Sequence, residues 1–135
     1  RFPYLVHFTN LISAPNKINL FGEGIHTEAC LALNSSIYLQ GSNGIKIHRN
    51  VLIAPGAKII SGNHDINNFS SSSLKAEAIE IMENCWIGAN AVILPEVKLL
   101  PGTIVGAGSV VTKSFDKGNI IIAGVPAKII RVLKH

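Results

Sequence analysis

Residues 81–116 read IMENCWIGANAVILPEVKLLPGTIVGAGSVVTKSFD, and in that stretch an aliphatic side chain returns at every sixth position: Ile81, Ile87, Ile93, Leu99, Val105 and Val111. Four residues after each stands a smaller or apolar side chain, at Cys85, Ala91, Val97, Thr103 and Ser109, until Phe115 ends the phase. An amphipathic helix would repeat at about 3.6 residues and a half-buried strand at about 2. A period of six fits short strands separated by turns and wound into a prism, with three such hexads to a coil and coils stacked about 4.8 Å apart.

Working outward, the same period runs upstream through Ile47, Ile53 and Ile59, with Val51 and Ala57 in the fifth positions. Further back Ile25, Leu31 and Ile37 keep the spacing and Asn43 breaks it, so the segment before Ile47 is expected to add one or two looser coils. Residues 65 to 80 interrupt the coils, and the polar run NNFSSSS at 67–73 marks them as an extruded loop. Its reading is either a surface insertion or a flap over an active site, the second because it starts directly after His64. From Gly118 onward the phase is lost. That end is expected to make a strand-like excursion past Pro126 and then a short C-terminal helix or cap over Ala127 to Lys134.

Composition sets the outer limits. The chain has 135 residues, 47% hydrophobic but only 6% aromatic, so its apolar mass is mainly branched aliphatic, which favours strands. That length predicts a single domain over 1–135. No apolar run approaches the roughly 20 residues needed to span a bilayer. The start at Arg1 lacks the layout of a secretory signal and reads as a trimmed end. Two cysteines, Cys30 and Cys85, are too few for a disulfide framework, which favours a reducing cytoplasm. The net charge of +4, without interleaved aromatic residues, points to a phosphorylated small molecule before nucleic acid.

With the hexads in place, WIGANAVILPEVKLLPGTIVGAGSVVTKSF (86–115) and AGVPAKIIR (123–131) closely resemble the hexapeptide-repeat O-acetyltransferases, and IHRNVLIAPGAKIISGNHD (47–65) is similar to the segment in which that family carries its catalytic histidine. In texture the chain is similar to the saccharide and polysaccharide O-acetyltransferases related to the maltose and galactoside enzymes. The resemblance implies a left-handed parallel β-helix, a homotrimer with active sites between subunits, acetyl-coenzyme A as cosubstrate and a saccharide acceptor. Handedness comes from the resemblance alone, since parallel crossovers are nearly always right-handed. His48 and Arg49 depart from the family's usual Gly-Asp, a change expected to alter only a turn. The residues before Ile18 are too few to reproduce the N-terminal helical segment of the maltose and galactoside enzymes.

The resemblance makes His64 the general base. An imidazole of ordinary pKa near 6.5 is largely neutral at cellular pH and can take the proton of an attacking hydroxyl. Its place at the end of a hexad puts it at a corner, pointing outward. Asp65, adjacent in an extended segment, is expected to point away from it. Family contact positions for the coenzyme fall on Ala89, on Ala107 within Gly106–Gly108, on Thr112 and Lys113, and on Lys128 and Arg131 for the phosphates. Trp86, also at a corner, is read as a wall of that site or as a subunit-interface residue. Cys85, in a fifth position, reads as an inert inward thiol and not as an acyl carrier. His7, His26, His48, His64 and His135 are scattered, so no metal site is expected. The alternatives to saccharide O-acetylation are N-acetylation of an amino-sugar nucleotide and a non-catalytic β-helix scaffold.

Overall fold

A computed structural model describes residues 2–70 and 74–134. Ser71–Ser73 of the expected loop, Arg1 and His135 lie outside the described residues. In chain order the elements are β1 (Leu11–Ser13), β2 (Ile18–Phe21), the helix α1 (His26–Leu33), β3 (Tyr38–Gln40), β4 (Ile45–His48), β5 (Leu52–Ile53) and β6 (Lys58–Ile60). They continue as β7 (Ile79–Ile81), β8 (Trp86–Ile87), β9 (Val92–Ile93), β10 (Lys98–Leu99), β11 (Ile104–Val105), β12 (Val110–Val111), β13 (Ile120–Gly124) and β14 (Ala127–Val132).

The strands form three sheets, the faces of a prism. The first runs β1-β3-β6-β9-β12, the second β2-β4-β7-β10 and the third β5-β8-β11-β13-β14. Every pairing is parallel except that of β13 with β14. In the regular coils a residue lies beside the one 18 positions later, as Trp86 does beside Ile104 and Val92 beside Val110. The chain therefore visits the three faces in turn, one hexad to a face, as the period requires.

Each hexad aliphatic is the inward residue of its strand. Ile59, Ile81, Ile87, Ile93, Leu99, Val105 and Val111 are all essentially inaccessible and fill one continuous core, each contributing about 1.5–3 kcal/mol by burial. The fifth-position residues are buried at the corners. Where they are polar they serve the turns: the Thr103 hydroxyl donates to the Leu100 carbonyl at 2.7 Å, and Ser109 Oγ accepts the Gly124 N–H at 3.1 Å.

A second sixfold series runs through the turns. Asn84, Asn90, Glu96, Gly102 and Gly108 all have positive φ, between 57° and 73°. Each turn thus needs one left-handed residue, which Gly and Asn supply at little cost.

Four expectations are corrected. Ile25 and Leu31 are not hexad members: the first coil's third side is the helix α1, with Leu31 buried and Ile25 74% exposed at the helix start. The helix is locked on by the Thr27 hydroxyl, which donates to the His48 carbonyl at 2.7 Å, and by an ion pair between Arg49 and Glu28. Arg49 therefore holds the helix and does more than shape a turn. Its guanidinium also lies 5.7 Å from the centre of the Tyr4 ring. The loop lies between β6 and β7, so Ile79 and Glu80, expected in it, are strand residues. Finally, Ala127–Val132 is no helix but a strand antiparallel to β13, turning back at Val125–Pro126. The charged, exposed Lys128 and Arg131 suit an edge strand.

Candidate functional site

His64 stands at the root of the insertion between β6 and β7, on the corner that joins the first face to the second. It is exposed, and among the described residues its ring makes no hydrogen bond. Its backbone N–H donates to Asn63 Oδ1 at 2.9 Å. Asp65 does not orient the ring: its carboxylate accepts the Asn67 N–H at 2.9 Å, which shapes the loop instead.

The outgoing arm of the insertion is fixed to the coil beneath it. Buried Ser61 donates both its N–H and its hydroxyl to the Gln40 carbonyl, each at 2.9 Å. Gly62 follows, its N–H donating to Gln40 Oε1 at 2.7 Å. A Cβ at Gly62 would come within 2.4 Å of the Gln40 amide and 2.6 Å of Ser42 Oγ, so a larger residue would push the Gln40 side chain from this bond.

Ala89 and Ala107 stack on another corner, from the third face to the first, where the Gly108 N–H donates to the Ala89 carbonyl at 2.8 Å. Ala107 and Gly108 are exposed, and a Cβ at Gly108 would meet nothing within 4 Å. The space that the small residues suggest is therefore open. Thr112 and Lys113 follow β12 on the corner that carries His64, two coils along, which is about 10 Å of prism. Both are exposed, and Lys113 Nζ lies 5.7 Å from the Phe115 ring centre.

Trp86, Lys128 and Arg131 belong to the third face. Trp86 is 49% exposed, and the register Leu52–Trp86–Ile104–Ile121–Arg131 places all five in one row across that face. Three strand spacings, about 14 Å, separate the backbone at Trp86 from that at Arg131. Trp86 also lines a cavity of about 310 Å³ with Asn50, Asn84, Leu52, Ile104 and His26, the first residue of α1. His26 was not foreseen, because the helix that places it was not. Within the chain, then, His64 shares a corner with Thr112 and Lys113, while Trp86, Lys128 and Arg131 occupy a different face.

Cys85 points inward. It is 2% exposed, burial pushes its thiol up to about 11, and Sγ donates to the Leu100 carbonyl at 3.3 Å. Both cysteines are free thiols. Among the described residues no three His, Cys, Asp or Glu side chains gather as a metal would require, and no helix is long and apolar enough to cross a membrane.

Comparison with known proteins agrees with this architecture. The family description "Bacterial transferase hexapeptide (six repeats)" matches residues 78–113. The chain is 32% identical over 113 residues to the galactoside O-acetyltransferase of Escherichia coli K12, covering 82% of this chain and 55% of that one. It is 31% identical over 133 residues to the candidate lipopolysaccharide-biosynthesis O-acetyl transferase WbbJ of the same organism, covering 88% and 66%. Among solved structures, a galactoside acetyltransferase in complex with coenzyme A superposes with a TM-score of 0.80 at 27% identity, over 97% of this chain and 62% of that one. The chain belongs to the hexapeptide-repeat transferase family and takes its left-handed parallel β-helix. It spans about half to two thirds of the length of these relatives.

Proposed function

We propose that the protein transfers an acetyl group from acetyl-coenzyme A to a hydroxyl of a saccharide, with His64 as general base. The observation that carries this reading is an exposed imidazole that makes no hydrogen bond among the described residues, held at the root of an anchored insertion and on one corner with Thr112 and Lys113. Similarity to O-acetyltransferases of galactosides and lipopolysaccharide supports the acceptor class.

In the reaction the neutral imidazole takes the proton as the acceptor oxygen attacks the thioester carbonyl. The tetrahedral oxyanion is held by backbone N–H donors, and its collapse breaks the C–S bond. The imidazolium returns the proton to the departing thiolate, leaving ester, free coenzyme A and neutral His64. In this reading the pantetheine arm lies against Ala89 and Ala107, Thr112 and Lys113 continue that contact, Trp86 walls the site, and Lys128 and Arg131 bind the coenzyme's phosphates through charge-assisted hydrogen bonds.

Because these residues lie on different faces of one protomer, the complete site is formed between subunits of a homotrimer. The row of Leu52, Trp86, Ile104 and Ile121 supports this: Leu52 and Trp86 are 45% and 49% exposed side by side, an apolar surface suited to a neighbouring copy. The free thiols fit a reducing cytoplasm.

The test is release of coenzyme A thiol from acetyl-coenzyme A across free sugars, nucleotide sugars, amino-sugar nucleotides and serine. Release with a neutral saccharide supports the reading. A response confined to amino sugars makes the enzyme an N-acetyltransferase, and failure to bind coenzyme A makes it a scaffold.

A further inference from the structure

Asn43 interrupts the hexad series where an aliphatic residue is expected, and the structure shows what it does there. It lies in the turn between β3 and β4, one coil below the insertion. Its backbone N–H donates to Ser61 Oγ at 3.0 Å. Its side-chain amide uses Nδ2 twice, donating to the Ser61 carbonyl at 2.9 Å and to the Leu74 carbonyl at 3.0 Å. Ser61 is on the outgoing arm of the insertion and Leu74 on the returning arm. The two arms also meet directly, the Leu74 N–H donating to the Asn63 carbonyl at 3.0 Å in the bridge next to His64.

We propose that Asn43 is a positioning residue for His64: its amide ties both arms of the insertion to the coil below and so sets where the imidazole stands. This rests on His64 being the general base. A planar amide with two N–H donors is the group this clamp needs. Aspartate has the same shape but offers no donor to two carbonyls, and alanine offers neither. The neighbouring bonds from Gly62 and Ser61 to Gln40 hold only the outgoing arm. Among the described residues Asn43 is the side chain of the coil below that bonds both arms at once, so its loss leaves the strands on both sides of the insertion intact while the arms, still bridged at Asn63 and Leu74, lose their tie to that coil and the base its bearing. Misplacing a catalytic group by about 1 Å lowers rate on the order of 100-fold.

The experiment compares wild type, Asn43→Ala, Asn43→Asp, His64→Ala and Asn43→Ala/His64→Ala for steady-state thiol release and its pH profile. Melting curves and amide exchange at Leu74 are followed alongside. Expected are a kcat lowered on the order of 10- to 100-fold in both Asn43 variants, an unchanged KM for acetyl-coenzyme A, a pH profile of unchanged shape, and faster Leu74 exchange. In the His64→Ala background, Asn43→Ala should lower turnover no further. Wild-type kcat in a folded Asn43→Ala or Asn43→Asp, beside an inactive His64→Ala, overturns the clamp and leaves the base standing. An additional loss of similar size in the double variant also overturns it, since Asn43 would then act independently of His64. Normal turnover in His64→Ala removes the general-base reading itself, and the clamp with it.

Discussion

At the residue scale, position within the hexad decides chemical fate. Cys85 and His64 are both nucleophilic types, yet Cys85 sits in a fifth position with its thiol raised to about 11 by burial, while His64 sits at an exposed corner. The unfolded thiol ionises near its ordinary value of 9.0 and the folded one does not. That contribution to stability is therefore complete below about pH 9 and is lost as pH rises towards about 11. Chemical denaturation across that range should show stability falling, and Cys85→Ala should remove this component of the slope. A thiol reagent at pH 8 should leave Cys85 unmodified in the folded protein. The inward place of Cys85 and the outward place of His64 were both legible in the period. The bonds that tie the insertion to the coil below were not, because Asn43 registers in the sequence only as a broken repeat, and a break does not say what replaces the missing packing.

At the element scale, the two-residue strands are held in place by their turns as much as by their ladders. Each of the turns from Asn84 to Gly108 takes one residue at positive φ, and Asn84, Asn90, Gly102 and Gly108 suit that conformation, whereas Glu96, at φ 66°, does not. Glu96→Asn should stabilise the protein by about 0.5–1 kcal/mol, since asparagine tolerates the left-handed region better. The glutamate's bond from the Glu77 N–H is exposed and contributes little. Thermal melting would check it, and a lower melting temperature would contradict the account of the turns. The strands were readable because every hexad aliphatic found a core position. Helix α1 was not readable: HTEACLAL has no clear polar face and its Leu31 keeps the sixfold spacing, so local sequence did not separate it from one more hexad. Glu28 and Thr27, which bind it to Arg49 and His48, reveal their role only once residues 21 to 24 positions apart are adjacent. The C-terminal strand was missed for a related reason, as its pairing with β13 is a tertiary fact that overrides a helix-permitting composition.

At the scale of the whole molecule, the prism sets the corner that carries His64 apart from the face that carries the basic strand β14, and in the proposed reading association of copies is what would join them. Sedimentation or light scattering should give a mass of about 43 kDa, three times the 14.4 kDa chain. Leu52→Asp should shift that mass towards the single chain, and a protomer-sized wild type that is fully active would contradict a site built between subunits. The most direct test of the central claim is thiol release from acetyl-coenzyme A by wild type and His64→Ala side by side, with a saccharide acceptor that supports turnover. The account predicts that His64→Ala keeps the wild-type mass and melting temperature and loses turnover by roughly 100-fold or more. Undiminished turnover in that variant would contradict it.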